Sequence, residues 1–296
     1  MLDKFAAAPD KPFIIWRDEA YRYGWLLEEV RHWQSRLAAA GVLPGQIVTV
    51  EGDYAPTTVA LLLALLEQQA IIVPLTDSVE AHKPEFRQIA EAQVIIDFKQ
   101  DAAGSITHIP ATVTNPLLQT LLAAGAPGLV LFSSGSTGKS KAALHNFDFL
   151  LKKFQHPRHT FVTLTFLLLD HIGGINTLLY TLANTGTIVS IDNRDPFAVC
   201  RAIETHRVEL LPTSPTFLNL LLLSEAYTRF DLSSLRRITY GTEVMPERVL
   251  ARIHDILPAV ELQQTYGLSE LGILRSRSEA PDSLWIKVGG EGFETR

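Results

Sequence analysis

Short runs of branched and apolar residues, each followed by a stretch of helical spacing, recur along almost the whole chain. That alternation narrows the choice of fold more than any other feature. Gln46–Val50, Ala70–Leu75 and Val94–Ile96 are apolar runs of strand length, and Pro56–Leu66 and Glu80–Ala92 carry helical patterns beside them. The same rhythm returns with strands over His159–Thr165, Thr187–Ile191, Glu209–Leu211, Leu235–Tyr240 and Ala259–Gln263. Helices are predicted over Gly173–Leu182, Phe197–His206 and Pro246–Leu257. At the N-terminal end, Phe13–Trp16 and Tyr21–Tyr23 read as a hairpin turned at residues 17–19. A helix over Trp25–Ala40 follows, with Leu26, Val30, Trp33 and Leu37 on one face and a stop at Gly41. Strands that are apolar throughout are buried on both faces, which predicts α/β layers on mostly parallel sheets. Ala102–Ala126, rich in small residues and carrying Pro110 and Pro116, reads as a linker or sheet edge.

With 296 residues and 47% hydrophobic content, the chain can bury a large core. A net charge of −6, with no basic cluster longer than Lys152-Lys153 or Arg236-Arg237, argues against a nucleic-acid partner. Both pairs read as solvated surface charge. The longest apolar runs, Val59–Leu66 and Leu164–Leu169, fall short of the roughly 20 residues a membrane span needs. The single Cys200 has no partner for an internal disulfide and no metal-ligand spacing. These features predict a soluble cytoplasmic protein with no membrane partner.

The chemistry concentrates where the run Leu129–Phe132 empties into Ser133-Ser-Gly-Ser-Thr-Gly-Lys-Ser-Lys141. Small residues leave backbone N–H groups uncovered, and the hydroxyls and ammonium groups beside them suit a polyphosphate. Two readings compete. Gly138-Lys139-Ser140 matches the end of a nucleoside-triphosphatase P-loop, but the first glycine of that motif falls on Ser133. Alternatively, Ser133–Ala142 resembles the phosphate loop [ST]-[ST]-G-[ST]-T-G-x-P-K-G of the adenylate-forming superfamily. That superfamily holds acyl- and aryl-CoA synthetases, luciferases and peptide-synthetase adenylation domains. Here Ser140 replaces the proline and Ala142 the last glycine, which removes one fixed and one free φ, and the lysine position falls on Lys141. About 125 residues later, Tyr266-Gly267-Leu268-Ser269-Glu270 resembles the superfamily's Y-G-x-[ST]-E segment. Two motifs in the right order favour this second reading.

The resemblance runs from about Lys11 to Gly290 and implies a layered αβαβα arrangement of two mostly parallel sheets with flanking helices. It implies two interlocked α/β subdomains within residues 1–296, with a loop-rich connection near 102–127. It further implies an AMP-forming ligase that joins a small carboxylic acid to the α-phosphate of ATP and then passes the acyl group to CoA. Ser133, Ser134, Gly135, Ser136, Thr137 and Gly138 then form the phosphate cradle, with Lys141 neutralising the phosphates. Gly241, Thr242 and Glu243 form a turn beside adenine, Tyr266 and Gly267 lie against the nucleotide, and Ser269 bonds the α-phosphate. Glu270 is the implied Mg²⁺ ligand, its alternative being a helix-start carboxylate. His171 resembles the residue guarding the carboxylate channel, and Asp170 the aspartate with which amino-acid-activating relatives pair the substrate ammonium. Gly173 and Gly174 are expected to leave side-chain space near the acyl pocket, pointing to an uncharged acyl or aryl acid.

Superfamily members continue into a small C-terminal domain, and its motifs are missing from this sequence. The chain is therefore expected to be the large N-terminal portion of a longer enzyme, binding ATP weakly and inactive or a poor catalyst by itself. An adenylation domain that loads a carrier protein with a fatty acyl or amino acid substrate is the alternative. A nucleotide-binding relative without turnover is a further one.

Overall fold

A computed structural model of the chain describes residues 1–99, 101–134, 140–274, 276–280 and 283–289. The chain opens with α1 (Leu2–Ala6) and the hairpin β1 (Pro12–Trp16)–β2 (Glu19–Arg22). Arg17 and Asp18 both take positive φ, 52° and 63°, the two-residue turn whose twist matches that of paired strands. Next, α2 (Tyr23–Ala39) buries Leu26, Val30, Trp33 and Leu37, as their spacing predicts. It ends at Gly41, whose φ of +73° lets the Val42 N–H reach back to the Leu37 carbonyl at 2.9 Å.

A first sheet follows, built by β3 (Ile47–Glu51), α3 (Pro56–Glu67), β4 (Ile71–Leu75), α4 (Lys83–Ile89) and β5 (Val94–Asp97). It is completed by β6 (Ser105–His108), α5 (Pro116–Ala123), β7 (Gly128–Ser134) and β8 (Ser140–Asn146). Its order is β6-β5-β3-β4-β7-β8, with parallel inner strands and antiparallel β6 and β8 closing the edges. The chain then returns to the N-terminal hairpin. Here α6 (Phe147–Lys152), β9 (Val162–Leu164), α7 (Ile172–Ala183), β10 (Thr187–Ser190), α8 (Pro196–His206) and β11 (Leu210–Thr213) come first. They are followed by α9 (Pro215–Ser224), β12 (Arg237–Tyr240), α10 (Glu247–Ile256) and β13 (Glu261–Gln264). This second sheet has the order β13-β12-β11-β9-β10-β1-β2, parallel except for β2. Two short antiparallel ribbons complete the description, β14 (Tyr266–Leu268) with β15 (Gly272–Leu274) and β16 (Ser276–Ser278) with β17 (Ile286–Val288).

Alternation along the strands assigns the layers. Val48, Val50, Ile72, Leu129 and Leu131 of the first sheet share a core with Ile14 and Ile188 of the second, and α2, α3 and α7 fill the space between. This central position explains α3, which is apolar all round with Val59–Leu65 buried. On the outer face of the first sheet, Ile47, Ile71, Val73, Val130 and Phe132 pack with α4 and α5. On that of the second, Val189, Leu211, Ile238 and Leu262 pack with α8, α9 and α10. The result is the expected αβαβα stack. Cys200 is buried in the outer core, where burial pushes its thiol up to about 12 and leaves it inert.

One expectation changes in detail, and for another the sheet-edge alternative holds. The helix predicted over 80–92 becomes a 3₁₀ turn over Asp77–His82 followed by α4, because Pro84 is tolerated only in a first helical turn. The small-residue segment 102–126 is folded in as edge strand β6 and helix α5. Glu91 anchors it by accepting from Thr114 N at 2.7 Å and Asn115 N at 3.1 Å.

Candidate functional site

The segment that carries the glycine loop is a β-hairpin. In its register Ser133 faces Lys141 and Ser134 faces Ser140. Gly135, Ser136, Thr137 and Gly138 of the expected cradle, together with Lys139 and the Ser134 side chain, lie outside the described residues. The arms decide between the two phosphate-loop readings. A P-loop runs from a strand into a helix whose N-terminus meets the phosphate, but here β7 is followed by an antiparallel strand. The P-loop reading is therefore wrong. Ala142 and Ser140 both sit in the extended backbone of β8, so neither position needs a glycine's freedom or a proline's fixed φ.

Lys141 is exposed, and two residues per repeat place it on the same face of β8 as Ala143 and His145. His145 is buried and its Nε2 donates to the Ser269 carbonyl at 2.5 Å. Burial lowers its pKa, against the opposing effects of that hydrogen bond and the Glu270 charge, so the ring is neutral near pH 7. His145 thus joins the hairpin to the second motif. Sequence reading passed it over; the one available signal was a histidine two residues from Ala143 on a face shared with Lys141.

The second motif is not a helix start. Tyr266–Leu268 is β14, and Ser269 and Glu270 lie in the turn to β15, so the dipole explanation for Glu270 falls away. Tyr266 is 44% exposed, with its ring available to a partner. Gly267 is needed for close packing, since a Cβ there would lie 2.5 Å from the Ile273 side chain. Among the described residues no group of three or more His, Cys, Asp or Glu could hold a metal ion. A single exposed carboxylate such as Glu270 suits Mg²⁺, which takes most of its ligands from water and substrate phosphates.

Gly241, Thr242 and Glu243 follow β12. A Cβ on Gly241 would stand 2.5 Å from Thr265 Oγ1, so glycine lets the ends of β12 and β13 converge. Thr265 N donates to the Tyr240 carbonyl at 2.7 Å, bringing the turn within a residue of Tyr266. Thr242 is β-branched yet has φ +72°, a strained conformation of the kind that gathers at binding sites. The Thr216 hydroxyl donates to Glu243.

His171 occupies the N-cap position of α7 with its ring 57% exposed. The other expectations for this segment fail. Asp170 is buried and accepts from Thr76 N at 3.2 Å and Thr76 Oγ1 at 2.6 Å. It ties the end of β4 to the start of α7 and does not face an open substrate site. Gly173 and Gly174 leave no space either. A Cβ on Gly173 would meet Leu167 Cδ1 at 2.7 Å, and one on Gly174 would run into the Leu168 carbonyl. They permit close packing of 167–168 on α7.

The open volume lies nearby. A cavity of about 800 Å³ sits between α7 and the inner face of β11–β13, reaching Thr239 and Thr265 just before Gly241 and Tyr266. Its wall includes Lys153, which the sequence read as surface charge and the fold turns inward.

The AMP-binding enzyme family matches residues 2–289. This chain belongs to that family. Among its relatives, an indoleacetate–CoA ligase of Aromatoleum aromaticum is 28% identical over 300 residues, covering 88% of this chain and 58% of the ligase. A 4-coumarate–CoA ligase-like 5 protein of Oryza sativa subsp. japonica is 29% identical over 266 residues, covering 78% and 49%. The chain thus spans about half the length of the curated relatives it matches. In fold it resembles the Klebsiella oxytoca NpsA N-terminal subdomain solved with 3-hydroxyanthranilyl-AMSN, with TM-score 0.75, 19% identity, and 92% and 73% coverage. No helix among the described residues is long and apolar enough to cross a membrane.

Proposed function

We propose that this chain carries the nucleotide and acid sites of an AMP-forming acid–thiol ligase. The observation that carries the reading is the His145–Ser269 hydrogen bond, which holds the Lys141 face of the hairpin against the Ser269–Glu270 turn. A carboxylate oxygen attacks the α-phosphorus of ATP, the bond to the bridging oxygen breaks, and pyrophosphate leaves. A thiol, that of CoA by likeness to the CoA ligases, then attacks the acyl carbonyl and releases AMP. Charge builds on the phosphoryl oxygens in the first step, so fixed positive charge and placement do most of the work. Lys141 neutralises the phosphates, Ser269 bonds the α-phosphate, and Tyr266 offers its ring to adenine. Glu270 would hold Mg²⁺, which when bound offsets charge on the phosphate oxygens. His171 borders the path of the incoming carboxylate.

Titration calorimetry with Mg·ATP tests the nucleotide half. Lys141→Ala is expected to weaken binding about tenfold or more, and Lys139→Ala by no more than about twofold. Greater loss from Lys139→Ala would contradict the assignment.

A further inference from the structure

Lys153 is a cation placed where the fold gives it little to pair with. It follows α6 directly, is half-buried, and lines the cavity. The Nζ donates to Asn176 Oδ1 of α7 and to the Ile273 carbonyl of β15 at 3.1 Å. Both partners are neutral, and an ammonium has three protons to donate; beyond these two bonds the Nζ has the Phe154 ring, its centroid 5.0 Å away, but no further hydrogen-bond acceptor among the described residues. Among the described residues no carboxylate lies within ion-pair distance of it, and none lines the cavity.

The neighbouring charges have the same sign. Arg158 and Arg237 also line the cavity; Arg237 is neutralised by Glu261 through two bonds of 2.9 and 2.6 Å, and Arg158 is exposed. Burial, with a further contribution from Arg158, pushes the pKa of Lys153 down to about 8. A cation that its surroundings penalise in this way gains most from an incoming anion or strong acceptor. The adjoining lysine differs in exposure: Lys152 also stands over an aromatic ring, 4.4 Å from the Phe149 centroid, but lies open to solvent. The polar lining is built from Thr239 and Gln263, on the sheet face opposite apolar Ile238 and Leu262, and from Asn176 and Thr177 of α7.

We infer that the cavity takes a carboxylic acid whose far end carries a second carboxylate or a hydroxyl, and that Lys153 is the specificity-determining residue that recognises that end. This rests on the proposed acid activation, with the reacting carboxylate at the Thr239–Thr265 side near the nucleotide segments. It moves the choice of acid from Gly173 and Gly174 to Lys153; a second carboxylate would depart from the expected uncharged acyl or aryl acid, and a hydroxyl would keep it.

The test titrates the chain with matched acids in the absence of nucleotide: octanoate against suberate, benzoate against terephthalate, and 4-methylbenzoate against 4-hydroxybenzoate. At least one doubly functional acid is expected to bind about tenfold more tightly than its match. Lys153→Met is expected to erase that preference while leaving the Kd of the singly functional acid unchanged, and Lys153→Arg to retain part of it. Equal affinities within every pair on the wild-type chain would overturn the inference without any variant. So would a preference that survives Lys153→Met in a variant with an unchanged melting temperature. Mg·ATP, titrated separately, reports on the adenylation reading alone; its failure to bind would strike that reading and leave the acid preference measurable.

Discussion

Gly174→Ala is expected to destabilise the fold by about 3 kcal/mol or more, at or beyond the upper end for overpacking a tight site. The added methyl would overlap the Leu168 carbonyl oxygen, lie 2.6 Å from its carbon, and approach the Tyr54 hydroxyl at 3.0 Å. The first two are backbone atoms and cannot rotate away. Relief would require moving the 167–171 loop or the first turn of α7, and Tyr54 OH holds that turn by donating to the Gly174 carbonyl at 2.9 Å. In a chain of this size the loss corresponds to a melting temperature lower by roughly 6–12 °C. Gly173→Ala is the control, since its obstacle is the rotatable end of Leu167, and about 1 kcal/mol is expected. Equal effects from the two substitutions, read by urea denaturation, would contradict the packing account.

Glu51→Ala is expected to cost about 3 kcal/mol, the lower end of the range for removing one partner of a buried ion pair. Glu51 ends β3 with its side chain 2% exposed, and Arg87 of α4 clasps it with bonds of 2.7 and 2.6 Å. Thr49 Oγ1 donates to it at 3.2 Å, and buried Lys83 stands 3.8 Å away. Two features keep the loss from the top of the range. Lys83 retains Glu80 at 2.7 Å, and Arg87, 28% exposed, can turn toward water. Replacing both partners by leucine is expected to recover most of the stability, because no charge is then left stranded. A double variant as unstable as Glu51→Ala, measured by chemical denaturation, would show that the site fails for want of space.

The layers were legible because buried parallel strands need uninterrupted apolar runs and surface helices need one apolar face. Ile47–Val50, Ile71–Leu75 and the Leu26–Leu37 face display both signals plainly. What escaped depends on tertiary pairing. Lys141–Asn146 has no strand-like alternation of its own and becomes β8 by pairing with β7. His145 has meaning only once the turn at Ser269 is folded against it. Asp170, Gly173 and Gly174 fall in the right segment, but local sequence cannot tell a residue that packs the wall from one that faces the substrate. Lys152 and Lys153 make the same point: two identical neighbours, each over a phenylalanine ring, one open to solvent and one lining a cavity.

Acid-dependent exchange of labelled pyrophosphate into ATP tests the central claim most directly, measured on the full-length gene product with the matched acids above. The account predicts that label enters ATP only when an accepted acid is present. Glu270→Gln is expected to slow the exchange about a hundredfold, the scale of losing one charge-stabilising group at a phosphoryl transition state. Acid-independent release of inorganic phosphate, with no exchange under any acid, would contradict it.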